Sequence, residues 1–543
     1  MPLDSAFGEV SMAYGLNHYL VDKPLRDTLK YFMSREPELA GLGEFVGREL
    51  YELAYRVDRM SWPVHVMWSV RGERSDTVLL DPSLRQAVDR LLYEFGVNKP
   101  PYIGGSWHEH FASINLVGDP GVACILTITM QTAYALWKYG GDSVRGYYRR
   151  LAGLERPPML GATWFTEIQG GSDLGANATI ARRGGDGVWL LTGYKYFASG
   201  AGLADIALVT ARTEGAPAGA KGLSLFAVPR LRRGGGLNFS VRRLKDKSGT
   251  IAVPTGEVEL QDSEAYLLGE AEKGIYYTLE DLMISRIANS AGAVGVARKA
   301  YLEAYNYANH RRAFGKRIIE HPLVRRDLLE MEVLIEESLA LTHKTVDLFE
   351  RSTGDRPPYS ATYHYARLMT HIAKNMTAQA AARVTMLAME LFGGIGFLRE
   401  YAVERWHREA LITPIWEGTS NIQALDMLEA IWKKGAYKPL LEDLRALASE
   451  AYDKELASRA VATAEETIKR LASMSPSQAE FNAKYILEDL GHASSTVILE
   501  NMAAVLGEER YHTVAEIVYK SLLQRKPVYN PGEERLGEII ALQ

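Results

Sequence analysis

The spacing of apolar and polar positions changes twice along the chain. From residue 3 to about 154 apolar side chains recur every three or four positions, as in Leu29, Phe32 and Met33 and again in Val88, Leu91, Leu92 and Phe95, which predicts amphipathic helices. Past Arg156-Pro157-Pro158 the texture differs. Segments 188–191, 206–211, 222–228, 237–241 and 257–260 are short, rich in β-branched and aromatic residues, and separated by Gly, Asp and Pro. They predict a compact β domain. Helical spacing returns after Gly269 to Gly274, with patterns at 276–310, 328–351 and 359–392 and a fourth that begins after Glu417. Ser290, Ala291, Gly292, Ala293 and Gly295 on the first of these permit close helix contact. Residues 433–439 read as a hinge into a further helical segment, 440 to about 524. The predicted fold is mainly α with a central β domain: a helical domain at 1–156, a β domain at 157–270, a four-helix domain at 271–434 and a C-terminal helical extension at 435–543.

Composition narrows the function classes. At 543 residues the chain exceeds a single core, and 47% apolar with 24% charged residues is the balance of an ordinary soluble globular protein. A net charge of −5 gives no field that favours nucleic acid or an anionic membrane. The single cysteine, Cys124, excludes an intramolecular disulfide and reads as a small core residue. Residues 120–137 carry no charge and reach spanning length, but Thr127, Thr129, Gln131 and Thr132 mark a buried helix instead. The first residues lack a basic segment followed by an apolar block, so a cytoplasmic location is expected. His108-Glu109-His110 places two histidines two apart, whereas a zinc pair on one helix face needs four. Hydrogen-bonded or exposed histidines, and no metal site, are expected. The chain has no G-x-G-x-x-G, no G-x-x-x-x-G-K-[ST] and no G-x-S-x-G, which argues against a Rossmann site, a P-loop and a serine hydrolase.

Two stretches could carry chemistry. In 411–425 one carboxylate, Glu417, lies between Trp416 and the turn Gly418-Thr419-Ser420-Asn421. The apolar approach of Ile412, Pro414, Ile415 and Trp416 would strip water from it. The same residues also fit an ordinary helix start with Thr419 or Ser420 as cap. In 164–175 an apolar entry ends in Gly170-Gly171-Ser172-Asp173, whose successive N–H groups could bind a phosphate or simply form a loop. The basic set Arg230, Arg232, Arg233, Arg242, Arg243 and Lys245 fits solvated strand ends or a phosphate contact equally.

Five stretches in one chain order decide the readings of 411–425 and 164–175 by resemblance. WEGTSNIQ (416–423) resembles the YEGTSQIQ signature of the acyl-CoA dehydrogenase family. WFTEIQGGSDLG (164–175) resembles its TEPGSGSD segment, GYKYFASG (193–200) its G-x-K-x-W-I-T segment, and HRRAFGK (310–316) with ELFGG (390–394) its R-x-x-FG and Q-x-x-GG motifs, the Gln here being Glu390. The resemblance implies FAD as cofactor, an acyl-CoA substrate and a homotetramer, with the electron acceptor left open. It implies Glu417 as the base that removes the α-proton while a β-hydride passes to flavin N5. It assigns Phe165, Thr166, Gly171, Ser172, Tyr196, Phe197, Ser199, Trp416, Thr419 and Asn421 to the flavin, and Arg286 and Gly418 to the substrate. Arg311, Phe314, Gly393 and Gly394 would reach a neighbouring subunit's FAD. Residue 285 is Ser where some members carry an alternative catalytic Glu, so the base is expected at 417.

Within the family the chain is similar to the AidB-like branch, through GLNHYL (15–20), RLKDKSG (243–249), the GGIGF and IWEG forms of two motifs, and the extension after 435. That branch implies a rival role: a flavoprotein of the alkylation and DNA-damage response that associates with DNA and turns over little substrate. Residues 440–543 hold 11 Lys or Arg against 17 Asp or Glu, a net charge of −6, and Glu429 stands where the AidB pattern has arginine. Both disfavour DNA binding.

Overall fold

The computed structural model describes residues 10–524. Residues 1–9 of the predicted N-terminal helical domain and 525–543 of the predicted extension lie outside the described residues.

The N-terminal part holds helices α1 (Lys23–Met33), α2 (Ala40–Gly47), α3 (Glu49–Met60), α4 (Pro82–Tyr93), α5 (Trp107–Val117) and α6 (Pro120–Tyr139). A mostly helical pattern was the expectation, and one stretch departs from it. β1 (Val64–Trp68) and β2 (Arg74–Leu79) pair antiparallel, with Val64 opposite Leu79. The period there is two, and Gly72 at φ 78° supplies the turn. The hairpin docks on the β domain: Arg74 Nη2 donates to the Val241 carbonyl (2.9 Å), and the Val241 N–H donates to Asp76 Oδ2 (3.1 Å).

Helix α6 is the uncharged run singled out above, and it is buried along nearly its whole length. Asp119 caps it by accepting from the Val122 N–H, and Pro120 sits where a missing N–H costs nothing. Its threonines close on the preceding turn, Thr129 Oγ1 to the Ile125 carbonyl and Thr132 Oγ1 to that of Ile128, both at 2.7 Å, which lets polar residues live inside.

The β domain comprises β3 (Gly161–Trp164), β4 (Ile180–Arg183), β5 (Trp189–Ser199), β6 (Ile206–Thr213), β7 (Leu223–Pro229), β8 (Ser240–Leu244) and β9 (Thr255–Leu268). Pairings β6–β4, β4–β5, β5–β9, β9–β7 and β7–β6 close a ring; β3 runs parallel to β6 over residues 206–209, before β4 joins it, and β8 pairs antiparallel with β9 over 256–259, before β7 joins it. Its core includes Trp164, Leu191, Val209, Phe226 and Val258. The basic set is engaged here: Arg242 pairs with Glu259 (3.0 Å), Arg243 and Lys245 with Glu257 (2.7 and 2.6 Å), and Arg232 and Arg230 donate to backbone carbonyls. Carboxylates of β9 thus pair with three of the six.

Helices α7 (Gly274–His310), α8 (Pro322–Ser352), α9 (Ala361–Phe392), α10 (Ala402–Ala410) and α11 (Ser420–Lys434) follow. A Cβ on Gly295 would stand 2.0 Å from the Asn115 carbonyl oxygen, so glycine is what lets α7 cross α5 at contact distance. Among the described residues one helix, Ala361–Phe397, is long and apolar enough to cross a membrane by length and composition; here it packs against α7, α8, α10 and α11. The extension forms α12 (Tyr437–Ser449), α13 (Lys454–Ala472), α14 (Pro476–Leu506) and α15 (Glu509–Ile517). The expected hinge at 433–439 is a tight packed corner. Gly435 turns at φ 64°, Ala436 is buried, and Leu440 and Leu444 join the same core as α11.

The two histidines read as non-metal residues are both buried and hydrogen-bonded. His108 Nδ1 meets His343 Nδ1 at 2.9 Å and His110 Nδ1 meets the Val97 carbonyl at 2.9 Å. Burial, helped by His343, keeps His108 far below its usual titration range, so the pair is neutral.

Candidate active site

Glu417 sits at the end of the irregular segment between α10 and α11 with φ 58°, a left-handed conformation that a non-glycine residue adopts only under constraint. The constraint is a set of donors aimed at two successive carbonyls. Arg286 Nε (3.1 Å) and Gln423 Nε2 (2.9 Å) donate to the Glu417 carbonyl, while Gln423 Nε2 (2.9 Å) and Lys374 Nζ (2.7 Å) donate to that of Gly418. The side chain thereby turns inward, where Ser285 Oγ donates to Glu417 Oε2 at 2.5 Å. Arg286, assigned to the substrate by resemblance, spends its guanidinium on this turn and on Asp426 (3.3 Å).

The carboxylate lines a narrow cleft between α6 and α7. Ala123, Ile128 and Ala288 supply apolar wall; Thr127, Gln131 and Asn289 are polar. Ile412, Pro414 and Ile415 were expected to dry the base, but Ile415 is 59% exposed; of that approach it is Trp416 that lines the cleft, its indole N–H donating to Asn289 Oδ1. Cys124, read as a small core residue, has a second face. It lines this cleft and is only partly buried, and its thiol is pushed up to about 12 by burial first and by the Glu417 charge. It packs against both the helical and the barrel cores and presents an inert wall to the cleft.

Cys124 connects the cleft to the barrel, because it lines the one and packs against the core of the other. Ser199 Oγ meets Thr255 Oγ1 at 3.1 Å, and the Ser199 carbonyl accepts from the Trp164 indole (2.9 Å). Alongside, Phe197 is 55% exposed and stands edge-on to Tyr196, ring centroids 5.1 Å apart at 87°. The Tyr196 N–H donates to the Thr166 carbonyl (3.0 Å), which brings the two expected flavin segments together. Gly171 has no room for a side chain, since a Cβ would lie 2.5 Å from Thr166 Oγ1. Among the described residues no acceptor lies within reach of the N–H groups of Gly171 and Ser172. An aromatic face, hydroxyl donors and a pair of free N–H groups along one edge fit a planar ring with an attached phosphate. Phe165 is buried behind them.

Glu167, which the motifs did not single out, anchors that loop. It accepts from Lys195 Nζ (2.7 Å), Thr179 Oγ1 (2.5 Å) and the Ala178 N–H (2.6 Å). Burial alone would raise its carboxyl, but the Lys195 charge and these bonds outweigh it and hold the group below the usual carboxylate range. A carboxyl lowered on folding stabilises the fold above its unfolded-state value and ceases to do so as pH falls through its folded value. Hydrogen-exchange protection of residues 166–179 is therefore expected to stay level from about pH 8 to pH 5 and to fall below about pH 4.

Thr419 and Asn421 are exposed at the start of α11, where the Thr419 side chain makes no capping bond. Arg311, Phe314, Gly393 and Gly394 lie at the other end of the helices, joined by the stack of Tyr307 on Phe392 (4.2 Å). At 1.5 Å per residue, the 26 residues from Ser285 to Arg311 put that cluster about 39 Å along α7. Within one chain it does not meet the Glu417 cleft. Lys374, Gln423 and Ser285 were missed as functional residues. Only Gln423 lay inside a quoted motif; Ser285 had been noted merely as an absent Glu.

Gly418 tests the turn. Its φ is 92°, and a Cβ would come within 2.7 Å of Gln423 Nε2. Gly418→Ala should displace that donor and cost about 100-fold in turnover with cofactor retained; steady-state rates with flavin absorbance of the purified variant check it.

A helical front, a closed barrel and a helical bundle that presents one inward carboxylate across a narrow slot define a recognisable architecture. The middle domain of acyl-CoA dehydrogenase matches residues 162–263, and the C-terminal domain of acyl-CoA dehydrogenase matches residues 272–432. The chain is 31% identical over 425 residues to the AidB protein of Escherichia coli strain K12, spanning 75% of this chain and 76% of that one. Among solved structures, Caenorhabditis elegans ACDH-11 in complex with C11-CoA superposes with a TM-score of 0.84 at 25% identity, covering 95% of this chain and 93% of the other. The apo form of Bd2924 superposes at 0.81 with 29% identity, covering 90% and 99%. The chain belongs to the acyl-CoA dehydrogenase family.

Proposed function

We propose that the protein is an acyl-CoA dehydrogenase that introduces an α,β double bond into an acyl-CoA thioester, with Glu417 as the base. The observation that carries this is the constrained left-handed backbone at Glu417, which directs a carboxylate into a cleft lined also by Cys124, a residue that packs against the barrel core. FAD, the cofactor implied by the family, supplies the hydride acceptor when bound. Thr166, Gly171, Ser172, Tyr196, Phe197 and Ser199 would hold it.

The chain's own contribution is position and proton transfer. The cleft orients a flat acyl group between α6 and α7; Glu417 takes the α-proton; Ser285 keeps the carboxylate turned toward it. The Glu417 N–H has no acceptor among the described residues and is free to stabilise negative charge on the thioester oxygen. Support for an acyl-CoA substrate comes from the ACDH-11 complex, which holds C11-CoA. A panel of acyl-CoA thioesters with an artificial electron acceptor tests the assignment: turnover of at least one member is expected, and silence across the panel refutes it.

We also propose self-association, a homotetramer as the family resemblance implies. Phe314 is 95% exposed at φ 50°, with exposed Phe397 and Leu398 at the same end of the bundle. Arg311, Gly393 and Gly394 would then complete a second copy's cofactor site. Phe314→Asp is expected to shift the sedimentation coefficient to a smaller species and to weaken cofactor retention. The rival DNA-associated role has less support, since the segment 440–543 carries a net charge of −6.

A further inference from the structure

We infer that the acyl group accepted by this cleft carries a hydrogen-bonding oxygen on its chain, a hydroxyl or a carbonyl, and is not a plain alkyl chain. The inference rests on the cleft being the acyl-CoA site. Two amide side chains line it, Gln131 from α6 and Asn289 from α7, 1% and 5% exposed respectively. Each leaves one buried polar atom without a partner: Gln131 Oε1 and Asn289 Nδ2.

The partners that do exist decide which atom is free. An indole N–H can only donate, so the bond from Trp416 Nε1 fixes Asn289 Oδ1 and leaves its NH₂ as a donor. A backbone carbonyl can only accept, so the bond to the Asp281 carbonyl (3.0 Å) fixes Gln131 Nε2 and leaves Oε1 as an acceptor. The same amide nitrogen lies 3.1 Å from Asp281 Oδ2, which holds it from a second side. Neither amide can flip without breaking a bond that has no alternative geometry.

Their placement follows from the helix period. Asp281, Ser285 and Asn289 are successive four-residue steps on one face of α7. Ser285 holds the base, Asp281 holds Gln131 one turn before it, and Asn289 stands one turn after it. A chain threaded past Glu417 therefore runs beside a fixed acceptor on one side and a fixed donor on the other. Between them the wall is Ile128, Ala123 and Ala288. A saturated hydrocarbon would leave both buried amide atoms with nothing to bond, whereas a chain oxygen satisfies the Asn289 donor and a hydroxyl can satisfy either.

The test uses the full-length, flavin-loaded protein and acyl-CoA thioesters matched in chain length, plain against hydroxylated or keto-substituted. Calorimetric dissociation constants are read beside the rate of flavin bleaching. The oxygenated thioesters are expected to bind about tenfold or more tightly. Asn289→Asp keeps an oxygen for Trp416 but removes the NH₂, which should erase the preference for a keto chain, and Gln131→Met removes the acceptor, which should reduce the preference for a hydroxylated one. Plain chains that bind as tightly as oxygenated ones and bleach the flavin, as they would were both amides bridged by water, overturn the inference and leave the dehydrogenase reading standing. A keto preference that survives Asn289→Asp also overturns it. If thioesters of neither kind bind, the dehydrogenase reading fails and the inference falls with it.

Discussion

Glu417→Gln should leave a folded, yellow protein whose α,β-dehydrogenation is slower by about 10²- to 10⁴-fold, the usual contribution of a positioned general base. Glutamine matches glutamate in shape, and its amide oxygen can still accept from Ser285, so the turn held by Arg286, Gln423 and Lys374 has no reason to move. What is lost is the capacity to take a proton. The loss should fall on turnover, with acyl-CoA affinity nearly unchanged, because the thioester would be held by backbone and cleft. Undiminished turnover in the variant would remove Glu417 from the role. Lys374 gives the same site a second handle: burial pulls its ammonium down to about 7 while the Glu417 charge opposes that, so its charge answers to the base.

Lys195→Met is expected to have the largest effect on stability. Lys195 is fully buried, its ammonium bonded to Glu167 Oε1 (2.7 Å) and to the Thr210 carbonyl (2.9 Å). Removing it strands the buried Glu167 carboxylate, which in comparable cases costs about 3–5 kcal/mol. The damage should be local first, because Glu167 ties the Thr166–Gly171 loop to Thr179 and Ala178. Lower hydrogen-exchange protection across 166–179 and faster loss of flavin on gel filtration would be the signs; retention equal to the parent would show that the pair does not support the loop. A Lys195→Met, Glu167→Leu double variant should recover part of the loss, since no charge is then left unpaired.

The period of apolar residues was enough to place most of the architecture, and its failures have local causes. Strands β3 and β4 are four residues each, and the second, Ile180–Arg183, ends in two arginines, too short and too polar to stand out from loop. The hairpin β1–β2 lay inside a helical stretch and is recognised by its neighbours' hydrogen bonds. Helix α10, nine residues, fell between longer patterns. At the site, Glu417, Thr166 and Ser199 were legible because each sits in a contiguous motif. Ser285 and Lys374 were not, since they meet the Glu417–Gly418 turn from 132 and 44 residues away and no local spacing encodes such a meeting. Cys124 illustrates a further limit: an apolar run announces burial but not that one face of the helix borders an opening.

The central claim is that Glu417 removes the α-proton in the step that reduces the bound flavin. Its most direct measurement is the anaerobic half-reaction of the flavin-loaded protein with a turned-over acyl-CoA, protonated or deuterated at the α-carbon, followed by flavin absorbance. Bleaching that is slower with the deuterated thioester, and nearly absent in Glu417→Gln, is the predicted result. Bleaching at the same rate for both isotopes, unaltered by the substitution, would contradict it.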